Sequence, residues 1–175
     1  VETATFPTPL IEALKPLGIT KHFFKKPYGH GSPYMTQAMI IMEMSRIDAG
    51  LGTFCAVQLG LLGHTIEALG SEEQKAKYLP KIINLEWIGG WGLTEEKVGS
   101  DAANLLTTST KVEGGYKLNG VKRWMGNGNK DLLIVFAKNE NKKMEGYILD
   151  THNNPKGWKS EVIKKKRPIP AILSI

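Results

Sequence analysis

The chain has 175 residues with 23 Lys and Arg, 17 Asp and Glu and 41% hydrophobic residues, which gives a net charge of +6. This balance is typical of a folded globular protein and excludes a wholly disordered chain. The length allows one domain or two small ones.

The excess positive charge is concentrated at one end of the sequence. Residues 151–175 hold six basic side chains and one acidic side chain, whereas the first 150 residues are nearly neutral. No aromatic residue lies within the basic run Lys164–Arg167, so a nucleic-acid partner is not expected. No window approaches the roughly 18 uninterrupted apolar residues of a membrane span, so no membrane partner is expected either. The only cysteine, Cys55, excludes an internal disulfide and fits a reducing compartment.

Hydrophobic periodicity divides the chain into a helical N-terminal domain, residues 1–86, and a β domain, residues 87–175. A short helix is predicted from Pro9 to Lys15. A longer helix is predicted to take Ser32 as its N-cap and to continue to about Ile47, with apolar residues at helical spacing.

Two more helices are predicted before the β domain. The Gly-Leu-Gly sequence at 50–52 is expected to break the helical pattern, so that the next helix begins near Thr53 and ends at Gly70. The sequence Ser71–Gln74 has the pattern of a capping box, which predicts a last helix to about Ile83.

The β domain is predicted to consist of antiparallel strands. Thr107–Val112 is rich in β-branched residues and is followed by a turn at Gly114-Gly115 and the strand YKL. Asn119-Gly120 predicts a tight hairpin turn, with VKRWM as the returning strand. Leu132–Ala137 is a continuous apolar run, as in a strand buried on both faces, and YIL and WKSEVI are further candidate strands. Helices followed by strands indicate an α+β architecture.

One glycine-rich stretch, GGWGLTEEKVGSD, is a candidate binding site. It lacks the GK[ST] ending of a P-loop, and no strand–turn–helix unit follows to make a dinucleotide fingerprint. It is either an ordinary loop or an edge where backbone amides and the hydroxyls of Thr94 and Ser100 bind a polar heterocycle or phosphate. Trp124 likewise has two interpretations, packing at a strand end or stacking on a flat ring.

No other side chains form a convincing site. The four histidines lack metal-binding spacing, so no metal is expected. His64 is interpreted as a partly buried core residue, Cys55 as a small hydrophobic residue, and Met35–Met44 as core filling. No catalytic residue is assigned.

Three sequence blocks resemble the acyl-CoA dehydrogenase and oxidase superfamily over most of the chain. The first comprises MSRIDAGLGTF and GSEEQKAKYLPKI. The second, WGLTEEKVGSD, is similar to the flavin-loop pattern aromatic-x-hydrophobic-Thr-Glu-Pro-x-x-Gly-Ser-Asp. The third, YKLNGVKRWMGNGNKDLLIVFAKN, is similar to the pattern Tyr-x-hydrophobic-Asn-Gly-x-Lys-x-Trp-hydrophobic-Thr-Asn and the strand after it.

The resemblance implies an FAD site. By analogy, Thr94 would bind the polar edge of the flavin, Trp124 would pack against the isoalloxazine ring, and Ser100 would reach the acyl-CoA thioester. The full implied set of cofactor-binding residues is Trp91, Leu93, Thr94, Gly99, Ser100, Trp124, Met125 and Gly126, with Ser100 also binding substrate.

Within the superfamily, the sequence resembles a plant peroxisomal subgroup of short-chain acyl-CoA oxidases. That subgroup shares the glycine at Gly126, where dehydrogenases have threonine. Glu96 replaces the proline of the flavin-loop pattern. Gly52 stands where glutaryl-CoA dehydrogenases have an arginine for the distal carboxylate, which argues against a dicarboxylic substrate.

The resemblance also implies the fold and the activity. The fold would be a helical N-terminal segment followed by an antiparallel, barrel-like middle domain. The family's C-terminal four-helix domain, which carries the catalytic glutamate, has no counterpart in the sequence. The implied function is FAD-dependent oxidation of short-chain acyl-CoA to trans-2-enoyl-CoA in a homo-oligomer, in the peroxisome or alternatively the mitochondrion. The other possibility is a truncated or divergent member without activity as an isolated chain.

Overall fold

The first half of the molecule is helical. The structure is a computed structural model that describes Phe6 and residues 8–153 and 155–163. Helix α1 is followed by 3₁₀ turns and a loop, and the remaining helices then follow one another closely. Their bounds are Thr8–Leu14 (α1), Tyr34–Ile47 (α2), Ala49–Cys55 (α3), His64–Leu69 (α4) and Glu72–Ile83 (α5). A π-helical stretch, Ala56–Gly63, joins α3 and α4 into one continuous helix.

The prediction that Gly50 and Gly52 interrupt the helical pattern is wrong. The helix begins at Ala49, because the Asp48 carboxylate caps it and accepts hydrogen bonds from Gly50 N at 2.7 Å and Leu51 N at 3.0 Å. A Cβ atom built on Gly52 would overlap the hydroxyl of Ser45 on α2. Gly52 therefore allows α2 and α3 to approach closely, and does not break the helix.

The remaining helix ends are largely as predicted. Helix α1 ends before Gly18, which adopts a left-handed conformation. The predicted capping box is confirmed, because Ser71 and Gln74 exchange hydrogen bonds at the start of α5. Ser32, however, does not cap α2, which begins one residue later with Pro33 as its N-cap. The Ser32 hydroxyl instead lies 2.8 Å from Nδ1 of His22.

The second half forms a five-stranded sheet. The strands are Gly89–Gly92 (β1), Thr108–Val112 (β2), Gly115–Asn119 (β3), Leu132–Lys138 (β4) and Met144–Asp150 (β5). Strand β4 is central: β5 pairs along one edge, and β1 and then β2 pair along the other, with β3 outside β2. The predicted succession of a helical unit and a β unit is confirmed.

The sheet is mixed, so the prediction that its strands are all antiparallel is wrong for the pairs that β1 and β2 form with β4. Strand β1 runs parallel to β4, with Gly89 opposite Leu132 and Gly92 opposite Val135. The chain can return in parallel because about forty residues, including the β2–β3 hairpin, separate the two strands. The β2–β3 and β4–β5 pairs are antiparallel as predicted.

The predicted Asn119-Gly120 hairpin does not form. Val112 pairs directly with Gly115, so the tight turn lies at residues 113–114. The segment VKRWM is not a strand, because its charged side chains bind the loop after β1 and Trp124 has a left-handed φ of 61°. The predicted strand WKSEVI is also wrong, since residues 158–163 pair with no strand of the described chain.

The core lies between the long helix and strand β4. Phe54 and Leu62 of the helix are fully buried, as are Leu79 of α5 and Leu132 of β4. By length and composition alone, the helix Ala49–Leu69 could cross a membrane, but 56% of its apolar window is buried inside the fold. That burial is typical of the central helix of a globular domain.

Candidate functional site

Two segments that are far apart in sequence meet beyond the end of β1. We call residues 91–100 the glycine-rich segment and residues 122–127 the tryptophan segment. The backbone N–H of Arg123 donates to the Thr94 carbonyl at 2.8 Å, and Nζ of Lys122 donates to the Leu93 carbonyl at 3.1 Å. The structure thus brings together the two stretches that were predicted to line one cofactor.

A buried ion pair reinforces this junction. Nζ of Lys122 lies 2.8 Å from Oε1 of Glu95, and each side chain is only 5% exposed. The Glu95 carboxylate also accepts hydrogen bonds from Leu106 N at 2.6 Å and from the backbone N–H of Thr107 at 2.9 Å. It accepts a further hydrogen bond from the Thr107 hydroxyl. A buried charge requires such partners, and Glu95 has a complete set.

The surroundings of Glu95 keep it ionised. Burial alone would raise the pKa of its carboxyl, but hydrogen bonds from Lys122, from Thr107 and from the backbone of Leu106 outweigh that effect. Together they lower the pKa of Glu95 from 4.5 to about 2. A carboxylate with so low a pKa is a weak proton acceptor, so Glu95 serves as a fixed anchor and not as a base.

A second, exposed ion pair lies beside the first. Nη1 of Arg123 is 3.1 Å from Oε1 of Glu96, and the Arg123 guanidinium carbon is 4.8 Å from the ring centroid of Trp124. The Trp124 side chain is 47% exposed, and its φ of 61° is rare for a bulky residue. Such an unusual conformation at an exposed aromatic residue is a feature of binding sites.

The other predicted residues of the tryptophan segment face different directions. The Met125 side chain is buried against Leu133 and Val135 of β4, so only its backbone is available to a ligand. Gly126 is partly exposed. A Cβ atom on Gly90 of β1 would overlap the Gly126 carbonyl oxygen, so the absence of a side chain at Gly90 lets the tryptophan segment lie against β1.

The glycine-rich segment lines the other side of the junction. Trp91 is half-buried, with its ring 4.8 Å from that of Phe136, and Leu93 and Thr94 are also half-buried. Gly99 and Ser100 are exposed, and they follow a turn in which Glu95 N donates to the Val98 carbonyl at 2.9 Å. Within the part of the chain that the structure describes, the hydroxyls of Thr94 and Ser100 form no hydrogen bond.

Sequence reasoning missed the residues that hold the site together. The predicted strand VKRWM contains Lys122 and Arg123, and no sequence signal points to Asn127. Asn127 is fully buried, and its Nδ2 donates to the Gly89 carbonyl at 3.2 Å, while its Oδ1 has no partner among the described residues. The available signal was charge: two adjacent basic residues in one block match Glu95 and Glu96 in the other.

The residues outside the junction behave as structural elements. Nε2 of His64 is hydrogen-bonded to the Phe23 carbonyl, as expected of a satisfied core histidine. Cys55 is buried beside Met44, and burial raises the pKa of its thiol to about 12, so it is not a reactive nucleophile. Among the described residues, no cluster of three or more His, Cys, Asp or Glu side chains could hold a metal ion.

Two family models match the chain. The model of the acyl-CoA dehydrogenase N-terminal domain matches residues 1–86, and that of the acyl-CoA dehydrogenase middle domain matches residues 90–172. Together they account for nearly the whole sequence.

Curated relatives agree with the family models. An acyl-CoA dehydrogenase of Bacillus subtilis is 36% identical over 138 residues, 78% of this chain and 36% of the relative. The short-chain-specific acyl-CoA dehydrogenase of Megasphaera elsdenii is 34% identical over 77% of this chain and 37% of its own length. The mitochondrial isovaleryl-CoA dehydrogenase of Solanum tuberosum is 35% identical over 64% of this chain and 27% of that protein. The matched part of the chain thus spans between 27% and 37% of the length of these relatives.

Solved structures share the fold. Glutaryl-CoA dehydrogenase of Mycobacterium smegmatis in complex with FADH2 has a TM-score of 0.90 and 30% identity, covering 99% of this chain and 44% of that one. An acyl-CoA dehydrogenase of Bacillus anthracis complexed with FAD has a TM-score of 0.85 and 29% identity, covering 95% of this chain and 29% of that one. On the matching models, relatives and structures, the chain belongs to the acyl-CoA dehydrogenase family, whose cofactor is FAD.

Proposed function

We propose that the junction of the glycine-rich and tryptophan segments binds FAD, and that the chain is part of an enzyme that oxidises short-chain acyl-CoA to trans-2-enoyl-CoA. The observation that carries this proposal is the hydrogen bond that the backbone N–H of Arg123 donates to the Thr94 carbonyl. It joins the two sequence blocks that resemble flavin-binding patterns, although twenty-eight residues separate Thr94 from Arg123.

The chemistry of the junction fits a flavin. A flavin needs hydrogen-bonding partners at its polar edge and an apolar wall against its ring. The Thr94 hydroxyl has no partner in the described chain, and Trp124 offers a half-exposed aromatic ring beside it in the same junction. The exposed backbone at Gly99 has no atom within 4 Å of the position a Cβ would take, so a ligand has room to approach there.

The proposed residues have distinct roles. Thr94 and the backbone of Leu93, Gly99 and Gly126 would hold polar groups of FAD, while Trp91 and Trp124 would supply aromatic surface. Ser100, exposed at the end of the segment, would bind the thioester end of the substrate. A bound FAD would supply the oxidant that accepts a hydride equivalent as the α,β-double bond forms.

A second candidate function, a family member that is inactive as an isolated chain, has its own supporting observation. Removal of the α-proton needs a base, and the two glutamates nearest the proposed site are committed elsewhere. Glu95 is fully hydrogen-bonded with a lowered pKa, and Glu96 is paired with Arg123. The two candidates are compatible, because a chain that binds FAD can still lack the base.

The finer details follow from the resemblance. Gly126 and the sequences TKVEGG and DLLI favour an oxidase of the plant peroxisomal type, whereas the relatives described above are dehydrogenases. We propose the peroxisome as the location, with the mitochondrion as the alternative that the isovaleryl-CoA relative favours. We further propose two domains, residues 1–86 and 87–175, and a homo-oligomeric enzyme.

The test is a titration of the purified chain with FAD, followed by visible absorption and flavin fluorescence. We expect binding, and we expect Trp124→Ala to weaken it by about twofold to tenfold through loss of a stacking surface. Tyr34→Ala is the matched control, because Tyr34 is an exposed aromatic residue at the start of α2.

The outcomes separate the alternatives. Equal FAD affinity in the Trp124 and Tyr34 variants would remove Trp124 from the site. No FAD binding by the unmodified chain would leave only the non-catalytic interpretation. Trp158 would be a poorer control than Tyr34, because its side chain packs against the cluster of Met125, Leu133 and Val135.

A further inference from the structure

Arg123 links Thr94, Trp124 and Glu96 within the proposed flavin site. Its backbone N–H donates to the Thr94 carbonyl, its guanidinium carbon lies 4.8 Å from the centroid of the Trp124 ring, and its Nη1 lies 3.1 Å from Glu96. Thr94 and Trp124 are the two residues assigned to the flavin edge and the flavin face. A single residue therefore contacts both, and a carboxylate restrains it.

The carboxylate partner is a departure from the family pattern. The flavin-loop pattern has proline where this chain has Glu96, and a proline could not pair with a guanidinium. Glu96 is 75% exposed and Arg123 41% exposed, so their attraction contributes little to overall stability. A weak surface pair can still select one orientation of a neighbouring aromatic ring when the guanidinium is planar and stacks on it.

We propose that Glu96 and Arg123 act as a pair of positioning residues for FAD, fixing the indole of Trp124 so that its other face meets the flavin ring. This inference rests on the proposed FAD site. The Trp124 ring is half-exposed with the Arg123 guanidinium over it, so a ligand could approach its other face. Glu96 acts through Arg123, and Arg123 acts through Trp124, so neither needs to touch the cofactor.

The test is a double-mutant cycle on FAD affinity, with Glu96→Gln, Arg123→Gln and the double variant of the 175-residue chain. Each single change should raise the dissociation constant for FAD by about twofold to fivefold. The double variant should have a dissociation constant for FAD no higher than that of the single variant that binds FAD less tightly, because both changes remove the same interaction. The backbone bond to Thr94 is retained in all three.

Two further variants serve as controls. Lys111→Gln removes an exposed charge from β2, outside both segments, and it should bind FAD as the unmodified chain does. Glu96→Asp keeps the carboxylate, and it should preserve most of the affinity. The quenching of flavin fluorescence by a stacked indole gives a second readout. Quenching should decrease in Glu96→Gln and Arg123→Gln, and it should be preserved in Glu96→Asp and in the control variant.

Each outcome decides the question. Coupled losses in Glu96→Gln and Arg123→Gln, with normal quenching in Lys111→Gln, would support the pair. Unchanged affinity and quenching, or strictly additive losses, would refute it while the FAD site stands. If the unmodified chain binds no FAD, the proposed function fails and this inference fails with it.

Discussion

Glu95 and Lys122, which are separated by twenty-six residues in the sequence, form an ion pair of 2.8 Å that is nearly inaccessible to solvent. It lies at the junction of the glycine-rich and tryptophan segments, where the neighbouring Glu96–Arg123 pair is exposed. Because both charges are buried, loss of either partner leaves the other as a buried charge without its counter-ion.

Glu95→Gln should therefore destabilise the fold substantially. The change removes a charged acceptor from Lys122 and weakens the hydrogen bonds to Leu106 and Thr107. We expect a loss of about 3–5 kcal/mol in the free energy of unfolding, measured by urea denaturation. Glu140→Gln, which alters an exposed turn, should change it by less than about 0.5 kcal/mol. A loss below about 1 kcal/mol for Glu95→Gln would contradict the proposed anchoring role.

The same carboxylate should make stability depend on pH. The pKa of Glu95 is lowered from 4.5 to about 2 by folding, so the folded state favours the ionised form. Its contribution is therefore complete above pH 4.5 and is lost as the pH falls from 4.5 to about 2. The slope it adds should approach about 1.4 kcal/mol per pH unit within that window.

The measurement is denaturation of the unmodified chain and of Glu95→Gln across the acid range. The difference in stability between the two proteins should shrink as the pH falls through this window. A difference that stays constant from pH 5 to pH 2 would mean that Glu95 does not titrate with a lowered pKa.

The fold could be predicted where local signals agreed with tertiary structure. The Ser71–Gln74 capping box and the apolar run that became β4 each determine their own conformation. Strand β1 could not be predicted, because three of its four residues are glycine. Its parallel partner β4 also lies about forty residues later in the sequence. Non-local pairing leaves no periodicity in a four-residue segment.

The candidate site, too, could be predicted from the sequence only in part. The sequence blocks identified Thr94 and Trp124 by resemblance, but the local rule for Asn-Gly turns assigned Lys122 and Arg123 to a strand. Tertiary ion pairs to Glu95 and Glu96 override that local preference. A search for opposite charges between the two blocks would have suggested their contact.

Gly52 provides a test of the helix packing. In Gly52→Ala the new Cβ would overlap the Ser45 hydroxyl, and rotating that hydroxyl away would not suffice because the Ser45 Cβ would lie 2.9 Å away. We expect a loss of about 1–3 kcal/mol from overpacking between α2 and α3. Gly60→Ala is the control, since no atom lies within 4 Å of its Cβ position.

Thermal unfolding of the two alanine variants is sufficient for this comparison. Gly60→Ala should be neutral or stabilising by up to about 1 kcal/mol, because alanine favours the helix over glycine. If Gly52→Ala were as stable as Gly60→Ala, close contact between α2 and α3 would not be needed, and the explanation given for the Gly-Leu-Gly sequence would be wrong.

The 175-residue chain alone should not oxidise acyl-CoA at a useful rate. Removal of an α-proton from a thioester requires a positioned base, and general-base catalysis contributes about 10²–10⁴-fold. Glu95 is held by Lys122 with a pKa of about 2, and Glu96 is paired with Arg123, so neither is available for this task. The assay is incubation with excess FAD and butyryl-CoA or hexanoyl-CoA, with oxygen or an artificial electron acceptor. Turnover near the ~10 s⁻¹ median of enzymes would show that another residue of these 175 acts as the base. Glu95→Gln and Glu96→Gln would then identify whether either glutamate is that residue.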